Sequence, residues 1–124
     1  MRKQYHSRKT KDGVATWDVH NLVELSKDLP VLDVPLENVK EMDQAYWFDE
    51  SHYPTGREIL VHFKLVSEAD LSYPIILCNQ GKLMDGMHRV VKAHLEGRKS
   101  IKAVRFEKIP EPDYLDIDLE DLPY

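Results

Sequence analysis

Apolar residues recur at helical spacing in three stretches of this chain, and in alternating or unbroken short runs in four others. Asp18 can accept hydrogen bonds from the amides that follow it. Val19, Leu22, Val23 and Leu25 stand at roughly helical spacing, so a helix is predicted over 18–25, with Pro30 closing the element. Val31 to Leu36 reads as a strand that Pro35 restricts to a sheet edge or a strand end, and Glu37 to Met42 as a short helical turn. The clearest helix starts at Thr55, where Thr55-Gly56-Arg57-Glu58 forms a capping box. Ile59, Phe63 and Val66, with Leu60 or Leu65, supply its apolar stripe, which fades near Ala69-Asp70. Ile75–Cys78 and Lys82–Met84 are two short strands joined through Asn79-Gln80-Gly81 as a hairpin. A further helix runs from Gly86 to Glu96, with Gly97 suited to the left-handed position after it, and Ile101 to Phe106 alternates as a half-buried strand does. This mixture predicts the α+β fold class.

With 124 residues, 42% of them hydrophobic and 31% charged, the chain is long enough for one domain with its own core. No apolar run approaches the ~20 residues of a membrane helix. The basic first residues lead into no apolar segment of the secretory kind, so no membrane partner is expected. A single cysteine, Cys78, fits a reducing cytoplasm. The net charge of −5 is unevenly spread. Residues 1–13 carry five basic side chains against one acid and read as a flexible basic lead-in. Residues 107–124 carry seven acids against one lysine and read as an acidic C-terminal tail. The folded domain is then expected over 14–106. Its body shows no concentrated basic face, which disfavours nucleic acid as a partner.

The candidate chemistry lies at Met84-Asp85-Gly86-Met87-His88-Arg89. Where a strand stops at Asp85 and a helix starts at Gly86, unpaired amides and the helix dipole converge on a spot that favours an anion. Gly86 allows a sharp turn and close approach of a bulky oxyanion. Arg89 can hold two phosphate oxygens, and His88 can donate to phosphate or carry a proton near neutral pH. Asp85 can orient His88, accept a hydroxyl proton, or hold Mg²⁺ through water. The plainer alternative makes Asp85 an N-cap, Gly86 a turn residue, and His88 and Arg89 solvated; residue chemistry alone weighs the two evenly.

The run from Tyr73 to Phe106 has a Pro74-Ile75-Ile76-Leu77 strand and a strand ending in Gly86-Met87-His88-Arg89. A helix bearing Ala93 and a final strand at Ile101–Val104 follow. It resembles the ParB/sulfiredoxin superfamily, and with the upstream elements the resemblance covers roughly residues 31–106. It implies a mixed sheet with helices packed on it, and a nucleotide held at the turn: ATP, ADP or CTP, depending on the branch. Gly86 and Arg89 match the residues common to the branches, and Asp85 and His88 match the Asp-Gly-His-His-Arg motif of free-serine kinases. Met87 stands where sulfiredoxins carry cysteine, and a thioether cannot form the thiolate that sulfinic-acid repair requires. Where ParB proteins read Gly-Glu-Arg-Arg and continue into a helix-turn-helix domain, an acidic tail follows here, which speaks against chromosome partitioning.

The resemblance places Gly86, Met87, His88 and Arg89 around nucleotide phosphates, and Asp85 and His88 among the catalytic groups. The kinase relatives have a glutamate just after the first core strand, so Glu37 or Glu41 is the candidate base, against the plainer reading of a surface glutamate. Mg²⁺ would accompany catalysis, and a small-molecule hydroxyl would be the acceptor. The aromatic loop Tyr46-Trp47-Phe48-Asp49-Glu50-Ser51-His52-Tyr53 can cover a substrate or simply anchor itself on the core. The six histidines show no zinc-type spacing, so no metal ligand is assigned to them. The leading expectation is a nucleotide-phosphate-binding domain that acts as a small-molecule kinase or nucleotide hydrolase. A noncatalytic sensing module and a ParB-like DNA-binding or nuclease protein are the alternatives.

Overall fold

The computed structural model describes residues 4–48, 51–117 and 121–122. The expected flexible lead-in is, from Tyr5 onward, the first arm of a hairpin. β1 (Tyr5–Thr10) pairs antiparallel with β2 (Gly13–Asp18) across a two-residue loop. Thr10 fixes the loop: its hydroxyl donates to the Gly13 carbonyl at 2.7 Å and accepts from the Asp12 amide at 3.2 Å. The basic side chains of β1 conceal this strand in the sequence because an edge strand needs little apolar cover.

The hairpin is tied down from the other end of the chain. The Asp113 carboxylate accepts from the Asp18 amide at 2.8 Å and from the Asn21 side chain at 2.9 Å, and Asp116 accepts from the Val14 amide at 2.8 Å. The Trp17 indole donates to the Pro110 carbonyl at 2.9 Å. Tyr114–Leu115 pairs with β2 as the third strand of this small sheet, so part of the expected acidic tail is structural.

α1 (Val19–Ser26) follows β2, with Asp18 as its N-cap accepting from His20. β3 (Leu32–Pro35) is, as its proline requires, an edge strand. Two single 3₁₀ turns, Leu36–Asn38 and Lys40–Asp43, lead into the aromatic loop. α2 (Gly56–Glu68) opens with the complete Thr55/Glu58 capping box. β4 (Ile75–Leu77) and β5 (Leu83–Asp85) are antiparallel neighbours. α3 (Met87–Leu95) then crosses back to β6 (Ser100–Arg105), which lies parallel to β4 and antiparallel to β3.

The second sheet is therefore mixed, in the order β3-β6-β4-β5, and the fold class is α+β. Alternation along its strands divides the core into two layers. Ile75, Leu77, Leu83, Ile101 and Ala103 pack against Met87, Val90 and Ala93 of α3. Ile76, Cys78, Met84, Val104 and Phe106 pack on the other face, against Ala15 and Trp17 of β2 and Leu22 of α1. The N-terminal hairpin thus covers the sheet face that α3 does not. Among the described residues no helix is long and apolar enough to cross a membrane.

The hairpin's inner surface gives a pH-dependent stability. His6 lies against Trp17, ring centroids 5.9 Å apart, and its Nε2 accepts from Arg8 Nε at 2.8 Å. Burial, with the Arg8 charge adding to it, pushes the His6 pKa down to about 4 from 6.5. The unfolded chain binds the proton at a higher pH than the folded one. This contribution is therefore complete above pH 6.5 and is lost as pH falls from 6.5 toward 4. Urea midpoints measured from pH 7.5 to 4.5 should show that decline, and His6→Gln should flatten it. An equally steep decline in His6→Gln would place the titrating group elsewhere.

Candidate functional site

The β5–α3 turn brings Asp85, Gly86, Met87, His88 and Arg89 together as the local sequence predicts, but it gives the arginine an inward role. Gly86 adopts a left-handed conformation with φ of 112°, and as the N-cap of α3 it offers no side-chain acceptor to the first amides of the helix. Its α-carbon lies over the buried Ile75, so that a Cβ at this position would come within 2.6 Å of Ile75 Cγ2 and 3.2 Å of Arg89 Nη2. The guanidinium of Arg89 bonds Asp85 Oδ2 at 2.8 Å through Nη2. Through Nη1 it reaches the carbonyls of Tyr73 at 3.1 Å and Pro74 at 2.6 Å. One side chain therefore fastens the end of β5 and the entry to β4 onto the first turn of α3. Met87 is buried in the core beneath the turn, so its side chain packs and does not face a ligand.

His88 points along α3 toward α2. Its Nε2 lies 2.8 Å from His62 Nδ1. Trp47, from the aromatic loop, lies nearly parallel to both imidazoles, at centroid distances of 4.2 Å from His62 and 4.6 Å from His88. Phe48 meets the His62 ring edge-on at 5.3 Å. Beyond His62 opens a cavity of about 560 Å³ between the aromatic loop and the start of α2, lined by Trp47, Phe48, His52, Arg57, Glu58 and His62 among others. The Glu58 carboxylate is fully engaged there, by the Thr55 amide and hydroxyl and by His52 at 2.7 Å. The Thr55 amide first, then His52, hold its pKa below the usual carboxylate range.

The two glutamates proposed as base separate. Glu41 joins the turn: its Oε2 accepts from the Leu83 amide at 3.0 Å. Tyr46 sits among the same groups, and its pKa is pushed up to about 12, first by burial and then by the negative charges of Asp85 and Glu41. Its hydroxyl therefore stays protonated at any ordinary pH. Glu37 is exposed on the other side of the 3₁₀ turns, beside a second cavity that Arg98, Lys99 and Ser100 also line. It does not share a site with Asp85.

Two contributors escape a reading of the sequence. His62 is one of several scattered histidines there: the expected apolar stripe leaves it out, but Ile59, Leu60 and Phe63 are exposed, and the side of α2 that faces the protein runs through Glu58, His62 and the buried Val66. Arg8 belongs to the supposed lead-in, yet its Nη2 donates to the Leu83 carbonyl at 3.3 Å. Burial raises the Cys78 pKa, but the Arg8 side chain and the Gln80 and Lys82 amides outweigh it, and the thiol lies below its usual range.

Among the described residues no three His, Cys, Asp or Glu side chains converge closely enough to hold a metal ion. Glu41 and Asp85 are the carboxylates at this turn that could hold Mg²⁺ through water. Compared with protein-family models, with curated proteins and with solved structures, the chain matches none of them.

Proposed function

We propose that this chain is a nucleotide-phosphate-binding domain of the ParB/sulfiredoxin-like kind, with the phosphates seated where β5 turns into α3. The observation that carries this reading is the left-handed Gly86 at the head of α3, which gives the helix no side-chain cap of its own while His88 stands one residue inside. The first amides of α3 and the helix dipole favour an anionic ligand there, and ATP, ADP and CTP are the candidates the sequence resemblance suggests. In this arrangement Arg89 is a positioning residue that keeps the turn in shape, and His88 is the side chain that meets the ligand. A cytoplasmic location is part of the reading, since nucleotides are abundant there and the single cysteine, Cys78, is a free thiol.

Phosphoryl transfer to a small-molecule hydroxyl, or nucleotide hydrolysis, needs in addition a carboxylate free to take a proton. Asp85 holds Arg89 through Oδ2, and Glu41 holds the Leu83 amide through Oε2, so each candidate base has one oxygen committed to keeping the turn in shape. That observation favours the second reading, a module that senses a nucleotide or phosphate without turnover.

A thermal-shift series with ATP, ADP, CTP, GTP and inorganic phosphate, with and without Mg²⁺, tests the common claim. A specific ligand at one hundred times its Kd adds about 2.7 kcal/mol of stability. One nucleotide should raise the melting temperature clearly more than phosphate alone. Equal midpoints with every ligand at millimolar concentration would overturn the proposal, and product analysis with the binding nucleotide separates enzyme from sensor.

A further inference from the structure

We infer that the outward face of α2 is an interface between two copies of this chain, which lay their α2 helices antiparallel about a two-fold axis at the level of residues 61 and 62. This goes beyond the proposed function and does not depend on what the β5–α3 turn binds.

α2 buries little of its apolar surface within its own domain. Val66 is fully buried, whereas Leu60 and Phe63 are 55% and 66% exposed. Gly56, Leu60, Phe63 and Ser67 follow one another at intervals of four, three and four, which lines them up as one stripe. That stripe is a different face from the one through Glu58, His62 and Val66. The aromatic loop and its cavity lie on the side of Glu58, Val61 and His62, so the stripe is open to solvent. The hydrogen of its one hydroxyl is already committed, since Ser67 donates to the Lys64 carbonyl of its own helix at 2.8 Å. Both ends of the helix are held, by the Thr55/Glu58 box at one end and by Lys92, which donates to the Ser67 and Ala69 carbonyls, at the other. A partner therefore meets a preformed surface.

The stripe reads the same in both directions. Reversing it exchanges Gly56 with Ser67 and Leu60 with Phe63. A second α2 laid antiparallel then sets each leucine against the other copy's phenylalanine, and a small residue against a small residue at each end. Charge points to the same occupant. Arg57 and Glu68 lie on one flank of the stripe at opposite ends of the helix, both exposed, and among the described residues neither forms a salt bridge. Each stands at the end that the helix dipole disfavours, a cation in the first turn and an anion in the last. Antiparallel pairing brings Arg57 of one copy to Glu68 of the other, twice by symmetry, and offsets that cost. Parallel pairing would set Arg57 against Arg57.

The dimer is expected to be weak. From Gly56 to Ser67 the helix rises about 17 Å, a short contact. Tyr53, ahead of α2, and Leu95, one turn past Lys92 on α3, are exposed apolar residues beyond its opposite ends that extend it. Lys64 lies on the charged flank nearer the axis and opposes pairing. A Kd on the order of 100 μM fits an interface at the small end of the specific range.

Sedimentation equilibrium of the full chain, from about 10 μM to about 1 mM, tests this. The mass should rise from monomer toward dimer. Phe63→Glu places a carboxylate in each half of the interface, at a position 66% exposed in the single chain. It should melt like the wild type at low concentration and stay monomeric throughout, and Leu60→Glu should do the same. Arg57→Glu and Glu68→Arg should each weaken the dimer about tenfold, because two symmetric pairs become repulsive. Arg57→Glu/Glu68→Arg should restore it. A wild type that is monomeric at every concentration would overturn the inference, and so would a dimer that survives both Phe63→Glu and Leu60→Glu. A double charge variant no stronger than the single ones would overturn the antiparallel arrangement.

Discussion

Gly86→Ala is expected to lower the melting temperature by about 10–15 °C, the effect of roughly 3 kcal/mol on a chain of this size. Two costs combine. The backbone at residue 86 has φ of 112°, a region that L side chains seldom occupy and that costs about 1–3 kcal/mol when they do. The new methyl would also sit 2.6 Å from Cγ2 of Ile75, a residue with no exposed surface, so that relief must come from the packed layer between β4 and α3. Overpacking of this kind typically adds about 1–3 kcal/mol. Arg89 Nη2, 3.2 Å from the same point, cannot move aside without loosening its hold on Asp85. Thermal denaturation followed by circular dichroism measures the effect. A drop of less than about 3 °C would mean that the turn relaxes freely and that its geometry is not a fixed seat for a ligand. Gly97→Ala is an internal reference, because its φ is also positive at 71° but a Cβ there meets nothing within 4 Å.

The contrast between these two glycines shows which parts of the molecule a sequence discloses. Features set by neighbours in the chain are legible. The Thr55/Glu58 box, the Asp18 cap, the Ile75–Asp85 hairpin and the α3 helix ending at Gly97 all occur where local patterning puts them, because caps and turns act within four residues. Features set by distant partners are not. β1 carries Arg8 and Lys9 and looks like solvated chain. It is ordered through a hairpin that Asp113 and Asp116 clamp from about a hundred residues away, and through Arg8 reaching Leu83. An Asp12-Gly13 pair, a common hairpin signal, was the local hint of that strand pairing.

The candidate site divides along the same line. Gly86 at the strand-to-helix turn follows from spacing, as does His88 just inside the helix. The inward pairing of Arg89 does not, because its acceptors at Tyr73 and Pro74 are recruited only when β4 comes to lie beside β5. Nor does the histidine pair: His62 and His88 are 26 positions apart and meet only because α2 packs along α3. Glu37 and Glu41 are equivalent by sequence, yet the intervening 3₁₀ turns send one toward Arg98 and Lys99 and the other to the Leu83 amide.

Arg89→Ala should destabilise the protein by about 2–4 kcal/mol. Its side chain is 17% exposed and that of Asp85 is 11% exposed, so the pair is largely shielded from solvent. Truncation leaves the Asp85 carboxylate without its cation and the carbonyls of Tyr73 and Pro74 without their donor. Arg89→Lys should recover only part of the loss, since a single ammonium on a flexible stem cannot span three acceptors as the planar fork does. Asp85→Asn should cost less than Arg89→Ala, because the two carbonyls keep their donor. The double variant Asp85→Asn/Arg89→Ala should then be less destabilised than the sum of the singles, by about 1–2 kcal/mol, as expected for residues in direct contact. Urea denaturation of the four variants measures each quantity. These values also decide how loss of ligand binding is to be interpreted at this turn. If Arg89→Ala is destabilised as stated, weakened nucleotide binding follows from a collapsed seat, and binding has to be assessed in Arg89→Lys or Asp85→Asn, which keep the turn. A variant that lost nucleotide binding while melting like the wild type would reverse the assignment. The guanidinium would then hold the ligand itself, in exchange for part of its bonding to Asp85, Tyr73 and Pro74.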